Sequence, residues 1–149
     1  MDKKAIYLVL GIAVAVLFYV ASTSIYEALF YSGDFSNAMY NSGAYGIVAL
    51  VTLAMTWGGA AIYYYVINSV KFDRWWHWLA TLAVVALLTP LVCYLVTDGM
   101  LSFSDNEGYS TAGAQLQLAN VLISAVLFTV ASFSLRWWSS NCRHTPIPQ

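Results

Sequence analysis

Charged residues are scarce in this sequence. Only 9% of its 149 residues are Asp, Glu, Lys or Arg, whereas 60% are apolar. In a soluble domain about a quarter of the residues are charged. A membrane-spanning helix needs about 20 apolar residues, so four such helices with short connections would use nearly the whole chain. The composition excludes an ordinary water-soluble domain and leaves no room for a soluble catalytic domain.

Lys and Arg are absent from two segments that separate apolar stretches, residues 32–43 and 98–113. These two segments contain the acidic residues Asp34, Asp98, Asp105 and Glu107. The basic residues precede the first stretch, separate the second from the third, or follow the fourth: Lys3, Lys4, Lys71, Arg74, Arg136 and Arg143. This segregation follows the positive-inside rule. It predicts an all-α bundle of four transmembrane helices with both termini in the cytoplasm and two outward-facing loops.

Catalytic and cofactor motifs are also absent. The sequence has no GxSxG, HExxH, Walker or GxGxxG pattern, and it has no basic patch for nucleic acid beyond the residues that set topology. Cys93 and Cys142 are predicted at different depths and form no CxxC motif, which argues against a redox enzyme. His77 and His144 are interpreted as inner-interface and tail residues rather than haem ligands. We therefore predict no catalytic residue, cofactor, metal site or nucleic-acid partner.

The apolar stretches make residues 1–149 a single transmembrane domain. The predicted spans cover about residues 5–31, 44–67, 75–97 and 114–138, and residues 139–149 form a short cytoplasmic tail. Residues 32–43 are predicted to be a polar loop, and Pro90 is predicted to kink the third span. The first stretch has an alternative interpretation as a cleaved secretory signal, because small residues follow it. Its length favours a retained span.

Aromatic and basic residues mark the predicted inner membrane interface. The predicted anchors are Trp75, Trp76, Trp78, Arg136, Trp137 and Trp138, together with the run Tyr63–Tyr65. Trp and Tyr rings prefer the head-group region of a bilayer. The Arg-Trp-Trp sequence occurs at both positions 74–76 and 136–138. A parallel internal repeat and independent selection of interface anchors both explain this pair.

Two helix faces are candidate interaction sites. Gln117, Asn120 and Ser124 lie at offsets of three and four, so they share one face of the fourth span. That face is predicted either to pack within the bundle or to line a pore formed by several copies. Ala54 and Gly58, with Ala61 one turn further, form a small-residue pattern that lets helix backbones approach closely. The pattern fits contact within the bundle, self-association or docking of another protein.

The functional hypothesis follows mainly from what the spans lack. Glu27 is their one acidic residue, and it is predicted at or beyond the outer interface rather than near the midplane, where ion-coupled transporters place charge. The leading hypothesis is a non-enzymatic subunit that anchors or scaffolds a larger bacterial inner-membrane assembly, as a homo- or hetero-oligomer in the lipid bilayer. The alternative is an oligomeric ion channel or membrane-permeabilising effector. A small-molecule or lipid transporter is a weaker alternative.

Overall fold

The computed structural model describes residues 2–106 and 108–146, and within them the chain is helical apart from short connections. The helices, in chain order, are α1 (Lys3–Val20), α2 (Ser22–Leu29), α3 (Gly33–Ser42), α4 (Ala44–Ala61), α5 (Trp75–Leu101) and α6 (Tyr109–Leu135). A π-helix over Ile62–Ile67 continues α4, and 3₁₀ turns cover Val70–Phe72 and Arg136–Trp138. Glu107 of the predicted second outer segment lies outside the described residues, as do Met1 and residues 147–149.

Four helical segments are long and apolar enough to cross a membrane. They cover Lys3–Val20, Ala44–Ile67, Trp75–Leu101 and Tyr109–Trp138, with lengths of 18, 24, 27 and 30 residues. This confirms the prediction of an all-helical fold with four long apolar helices. The second segment matches its predicted bounds. The third continues through Pro90 as one helix and extends to Leu101, beyond the predicted end at residue 97.

The first predicted span, residues 5–31, is divided into two helices. Helix α1 ends at Val20, and α2 begins after a break at Ala21, whose ψ of 6° departs from helical geometry. The Ser22 hydroxyl donates to the Tyr19 carbonyl at 2.8 Å beside this break. Hydroxyl side chains compete with backbone hydrogen bonds in this way. The long helix therefore comprises the 18 residues Lys3–Val20.

The outer segment 32–43, predicted to be a polar loop, is instead helix α3. Its turn-forming residues lie at the helix ends: Gly43 adopts a left-handed conformation at φ 71° and terminates α3, a geometry that glycine permits. Asp34 lies in the first turn, where a negative charge complements the helix dipole. Phe35 and Met39, four residues apart, are buried against the bundle. Burial of this apolar edge stabilises a helix that the polar composition of the segment did not predict.

The second outer connection is shorter than the predicted segment 98–113. Helix α5 extends to Leu101 and α6 begins at Tyr109, after Gly108 at φ 87°. The Asn106 amide donates to the Leu101 carbonyl at 2.8 Å and so caps α5. The ring of Phe103 packs closely on Gly113: a Cβ at this position would lie 2.8 Å from the ring. These contacts hold the connection against the start of α6.

Helices α4, α5 and α6 form the centre of the bundle, and α1 lies at its edge against α6 and α4. Of the 18 residues of α1, only Gly11 and Phe18 are buried. Helices α2 and α3 cover the end of the bundle at which α4 and α6 begin, where Tyr26, Phe35 and Met39 are at most 2% exposed. Large apolar side chains cover the outside of the spans, for example Leu17 at 67%, Leu87 at 65% and Leu122 at 71% exposure.

The segment after α6, predicted to be a short cytoplasmic tail over residues 139–149, packs onto the bundle in its described part. The Tyr64 hydroxyl donates to the Thr145 carbonyl at 2.9 Å, and Asn68 accepts from the Ser139 hydroxyl at 2.9 Å. Cys142 is completely buried and lies against the inner connection. As far as Pro146, the segment therefore folds back onto the inner ends of α4 and α5. Burial is the main factor that raises the pKa of the Cys142 thiol.

Candidate functional site

A network of neutral polar side chains lies inside the bundle, with Asn120 of α6 at its centre. The Asn120 amide oxygen accepts from the Tyr26 hydroxyl at 2.8 Å. Its amide nitrogen donates to the Thr52 hydroxyl at 3.2 Å and to the Gln117 amide oxygen at 3.0 Å. Thr52 lies 3.5 Å from the Cys93 sulfur. The network therefore connects α2, α4, α5 and α6.

The three predicted polar residues of α6 all face this interior. Asn120 and Ser124 are 0% exposed and Gln117 is 5% exposed. Among the described residues, the Gln117 amide nitrogen and the Ser124 hydroxyl have no hydrogen-bond partner, and the same holds for the Thr89 hydroxyl of α5. The face thus combines one fully bonded amide with neighbours that retain hydrogen-bonding capacity.

Tyr26, Thr52 and Cys93 belong to this network but were not predicted as site residues. Thr52 and Thr56 are both completely buried, four residues apart on α4, so their spacing was a usable signal for a polar face. Tyr26 carried no such signal, because it follows the break at Ala21 that the sequence analysis did not detect. The side chains of the network are neutral hydroxyl, amide and thiol groups, which suit hydrogen bonding rather than proton transfer.

The predicted small-residue face of α4 does not contact the rest of the chain closely. Ala54 is exposed and Gly58 is half-buried, and no described atom lies within 4 Å of a Cβ placed on Gly58. Ala61 is also half-buried. The close approach is made by the neighbouring Gly59, where a Cβ would lie 2.7 Å from Val85 of α5. Within one chain, α4 therefore packs through Gly59 rather than Gly58.

Gly11 of α1 makes the second close helix contact. A Cβ at this position would overlap the Ser134 hydroxyl of α6 and lie 3.1 Å from the Trp57 ring. Tyr7, one turn earlier on α1, stacks on Trp137 with ring centroids 5.2 Å apart. These contacts fix the start of α1 beside the end of α6.

An apolar groove of about 490 Å³ lies between α1 and α4 on the outside of the bundle. Its lining is almost wholly apolar and comprises Ile12, Ala15, Val16, Tyr19, Leu50, Leu53, Ala54 and Trp57. Two of these lining residues are alanines, Ala15 of α1 and Ala54 of α4, and the others have larger side chains. Ala54 thus belongs to an outward-facing concave surface.

The predicted interface anchors differ in their surroundings. Trp75, Trp76 and Trp138 are about half exposed, at 53%, 51% and 49%. Trp78 is buried, and its indole nitrogen donates to the Ser132 hydroxyl at 2.9 Å. Arg136 and Trp137 lie together at the end of α6, where the guanidinium carbon is 4.4 Å from the Trp137 ring centroid.

The basic residues lie at one end of the bundle. The stacked pair Tyr7–Trp137 brings the start of α1 to the end of α6, and the Tyr64–Thr145 hydrogen bond brings the end of α4 to the same place. The six Lys and Arg residues flank these helix ends. At the other end, a cavity of about 520 Å³ is lined by acids and amides that include Asp34, Asn41 and Asp105.

The remaining ionisable residues form no metal centre in the described part of the chain, where no three of His, Cys, Asp or Glu are grouped to hold an ion. His77 packs on Trp76 with ring centroids 3.6 Å apart. His144 lies near Arg143, whose Nε donates to its Nε2 at 3.4 Å. Glu27 is half-buried on α2.

Comparisons with protein-family models, with curated proteins and with solved structures find no match for this chain.

Proposed function

We propose that this chain is an integral membrane protein of the bacterial inner membrane. Its four long apolar helices would span the bilayer, with both termini and the basic end in the cytoplasm. Support comes from the distribution of polarity: exposed side chains along these helices are largely apolar, whereas amides and hydroxyls occupy the interior. A lipid environment favours this distribution because polar groups that face hydrocarbon find no hydrogen-bond partner there.

Within that membrane, we propose that the chain is a non-enzymatic subunit that anchors or scaffolds a larger assembly. The groove between α1 and α4 carries this proposal. Its apolar lining includes the small residues Ala15 and Ala54, and small residues let a second helix approach closely. Gly58 lies one turn from Ala54 and is free of close contacts with the described atoms. We infer that a transmembrane helix of a partner protein docks there.

Helix α1 supports the same interpretation because it is weakly held within the chain. Only 11% of its residues are buried, compared with 39% of the most apolar stretch of the fourth segment. A partner helix in the groove would contact α1 and α4 together and would complete the packing of α1. The neutral network around Asn120 would then serve to hold the bundle together while its outer surface binds.

The mass of the protein after extraction in mild detergent tests this proposal. We expect the wild type to migrate as a co-complex, and Ala54→Phe, which fills the groove, to release a single chain. Ala83→Phe is the matched control, since Ala83 is exposed on α5 away from the groove. A lone wild-type monomer in several mild detergents would contradict the proposal. An unchanged complex in Ala54→Phe would show that the partner does not bind in the groove.

An oligomeric ion channel is the second candidate, favoured by the outer cavity. Asp34 and Asp105 line it together with amide side chains, and an acidic mouth concentrates cations. The face of Gln117, Asn120 and Ser124 is buried in its own bundle, so it would conduct only after rearrangement. Planar-bilayer recording decides the matter: cation-selective conductance that Asn120→Leu abolishes, in protein that circular dichroism shows to be folded, would favour the channel, and a silent bilayer of the wild type would exclude it.

A further inference from the structure

A basic cavity lies at the inner end of the bundle, between the start of α1 and the segment that follows α6. Its volume is about 220 Å³, and it is lined by Lys4, Arg136, Trp137, Arg143 and His144. Four of these five side chains are basic, and no acidic side chain of the described residues lines the cavity. Positive groups from both ends of the chain thus converge on one small volume.

Arg136 distinguishes this cavity from a merely basic surface. The side chain is 8% exposed, and among the described residues its buried Nε has no hydrogen-bond partner. Its guanidinium carbon lies 5.0 Å from the Phe133 ring centroid and 4.4 Å from that of Trp137. Cation–π contacts of this kind stabilise a buried cation only partly. An anion in the cavity would supply both the opposite charge and the acceptor for Nε.

An apolar cavity of about 200 Å³ adjoins the basic one along the contact between α1 and α6. Its walls include Tyr7, Leu10 and Val14 of α1 and Phe133 of α6. Lining residues of the two cavities contact each other: Tyr7 of the apolar cavity stacks on Trp137 of the basic one, and Phe133 of the apolar cavity lies against Arg136 of the basic one. A ligand that fills both cavities must therefore carry an anionic group and an apolar chain.

We propose that these cavities bind an anionic phospholipid, with its phosphate in the basic cavity and one acyl chain in the apolar cavity. The guanidinium groups of Arg136 and Arg143 and the Lys4 ammonium would donate to the phosphate oxygens, a geometry that guanidinium groups match well. This inference rests on the proposed membrane placement, which puts the basic end at the cytoplasmic leaflet, where anionic lipids attract Lys and Arg.

Retention of lipid by the purified full chain tests the inference. The protein is reconstituted in nanodiscs of phosphatidylcholine containing a minor fraction of phosphatidylglycerol, transferred to mild detergent, and examined by native mass spectrometry. We expect phosphatidylglycerol to be retained in preference to phosphatidylcholine. Each basic side chain near an anionic membrane surface changes binding about fivefold, so Lys4→Gln with Arg143→Gln should weaken retention by more than tenfold.

Lys71→Gln with Arg74→Gln is the matched control, since it removes two exposed charges from the same end but outside the cavity. Equal loss of retention in both double variants would overturn the site, because it would show general surface attraction. Competition by inorganic phosphate would overturn the lipid assignment and indicate a soluble phosphate ligand. Lys4 and Arg143 are exposed, so folding should survive, and circular dichroism checks it. Arg143→Gln alone should still weaken retention.

Failure of the inference is distinguishable from failure of the proposed function. If the chain does not enter nanodiscs at all, the membrane placement is wrong. If it enters them but retains both lipids equally, only the lipid site is wrong. The scaffold proposal is tested separately through the groove between α1 and α4, which shares no lining residue with either inner cavity.

Discussion

Truncation of Asn120 should destabilise the bundle more than truncation of Ser124, whose hydroxyl has no hydrogen-bond partner among the described residues. Asn120→Ala removes the hydrogen bonds to Tyr26 of α2 and Thr52 of α4. Hydrogen bonds between membrane helices are worth about 0.6 to 1.7 kcal/mol each, and a buried hydroxyl left without a partner costs about 1 to 3 kcal/mol. We therefore expect Asn120→Ala to lower the free energy of unfolding by about 2 to 4 kcal/mol.

The assay is SDS-induced unfolding in mild detergent, followed by the fluorescence of the six Trp residues. Ser124→Ala is the matched control, because Ser124 is equally buried on the same helix but its hydroxyl has no partner among the described residues. It should change the free energy of unfolding by less than about 0.5 kcal/mol. A double-mutant cycle with Tyr26→Phe isolates the Tyr26–Asn120 bond and should give a coupling of about 1 kcal/mol. A coupling near zero, or an equal loss in Ser124→Ala, would refute the reasoning.

Two further predictions concern helix packing and the inner end. Gly11→Ala should destabilise the protein by about 1 to 3 kcal/mol in the same unfolding assay, because overpacking costs that much and the new Cβ would overlap the Ser134 hydroxyl. Gly58→Ala is the control and should be neutral or stabilising. Equal losses of stability in the two variants would contradict the assigned packing. Maleimide should label Cys142 slowly at neutral pH in a Cys93→Ala background, since burial raises the pKa of the thiol and only the thiolate reacts. Labelling should accelerate as the pH rises. It should also accelerate at neutral pH in Tyr64→Phe, because this variant removes the hydrogen bond to the Thr145 carbonyl. Rapid labelling of the folded parent protein would show that the segment after α6 is not packed.

The four long helices were predictable because their apolar runs are sustained and bracketed by charge. The second segment, Ala44–Ile67, has its predicted bounds, since Gly43 and Asn68 end the run on either side. Helix α3 was not predictable from composition, because its apolar edge consists of only a few residues. That edge stabilises the helix only because Phe35 and Met39 are buried against the bundle. The break at Ala21 was missed because no Gly or Pro marks it in the sequence, and the Ser22–Tyr19 hydrogen bond beside it is visible only in the structure.

The interior site was predictable in part. Spacing alone placed Gln117, Asn120 and Ser124 on one face. It did not identify the principal partner of Asn120, because Tyr26 is 94 residues away in sequence. Charge segregation likewise placed Lys4, Arg136 and Arg143 on one side of the predicted membrane, but their convergence on one cavity depends on the α1–α6 contact at Gly11 and on the folded segment after α6.

The most direct test of this account is the sidedness of single cysteines in cells, measured with a membrane-impermeant maleimide. The exposed positions Asn41 and Ser104 flank the outer end, and the exposed Val70 lies in the inner connection. Each residue is replaced by cysteine in a chain that carries Cys93→Ala and Cys142→Ala. The account predicts that Asn41→Cys and Ser104→Cys are labelled from outside, whereas Val70→Cys is labelled only after the cells are permeabilised. Labelling of Val70→Cys in intact cells, or of none of the three without permeabilisation, would contradict it.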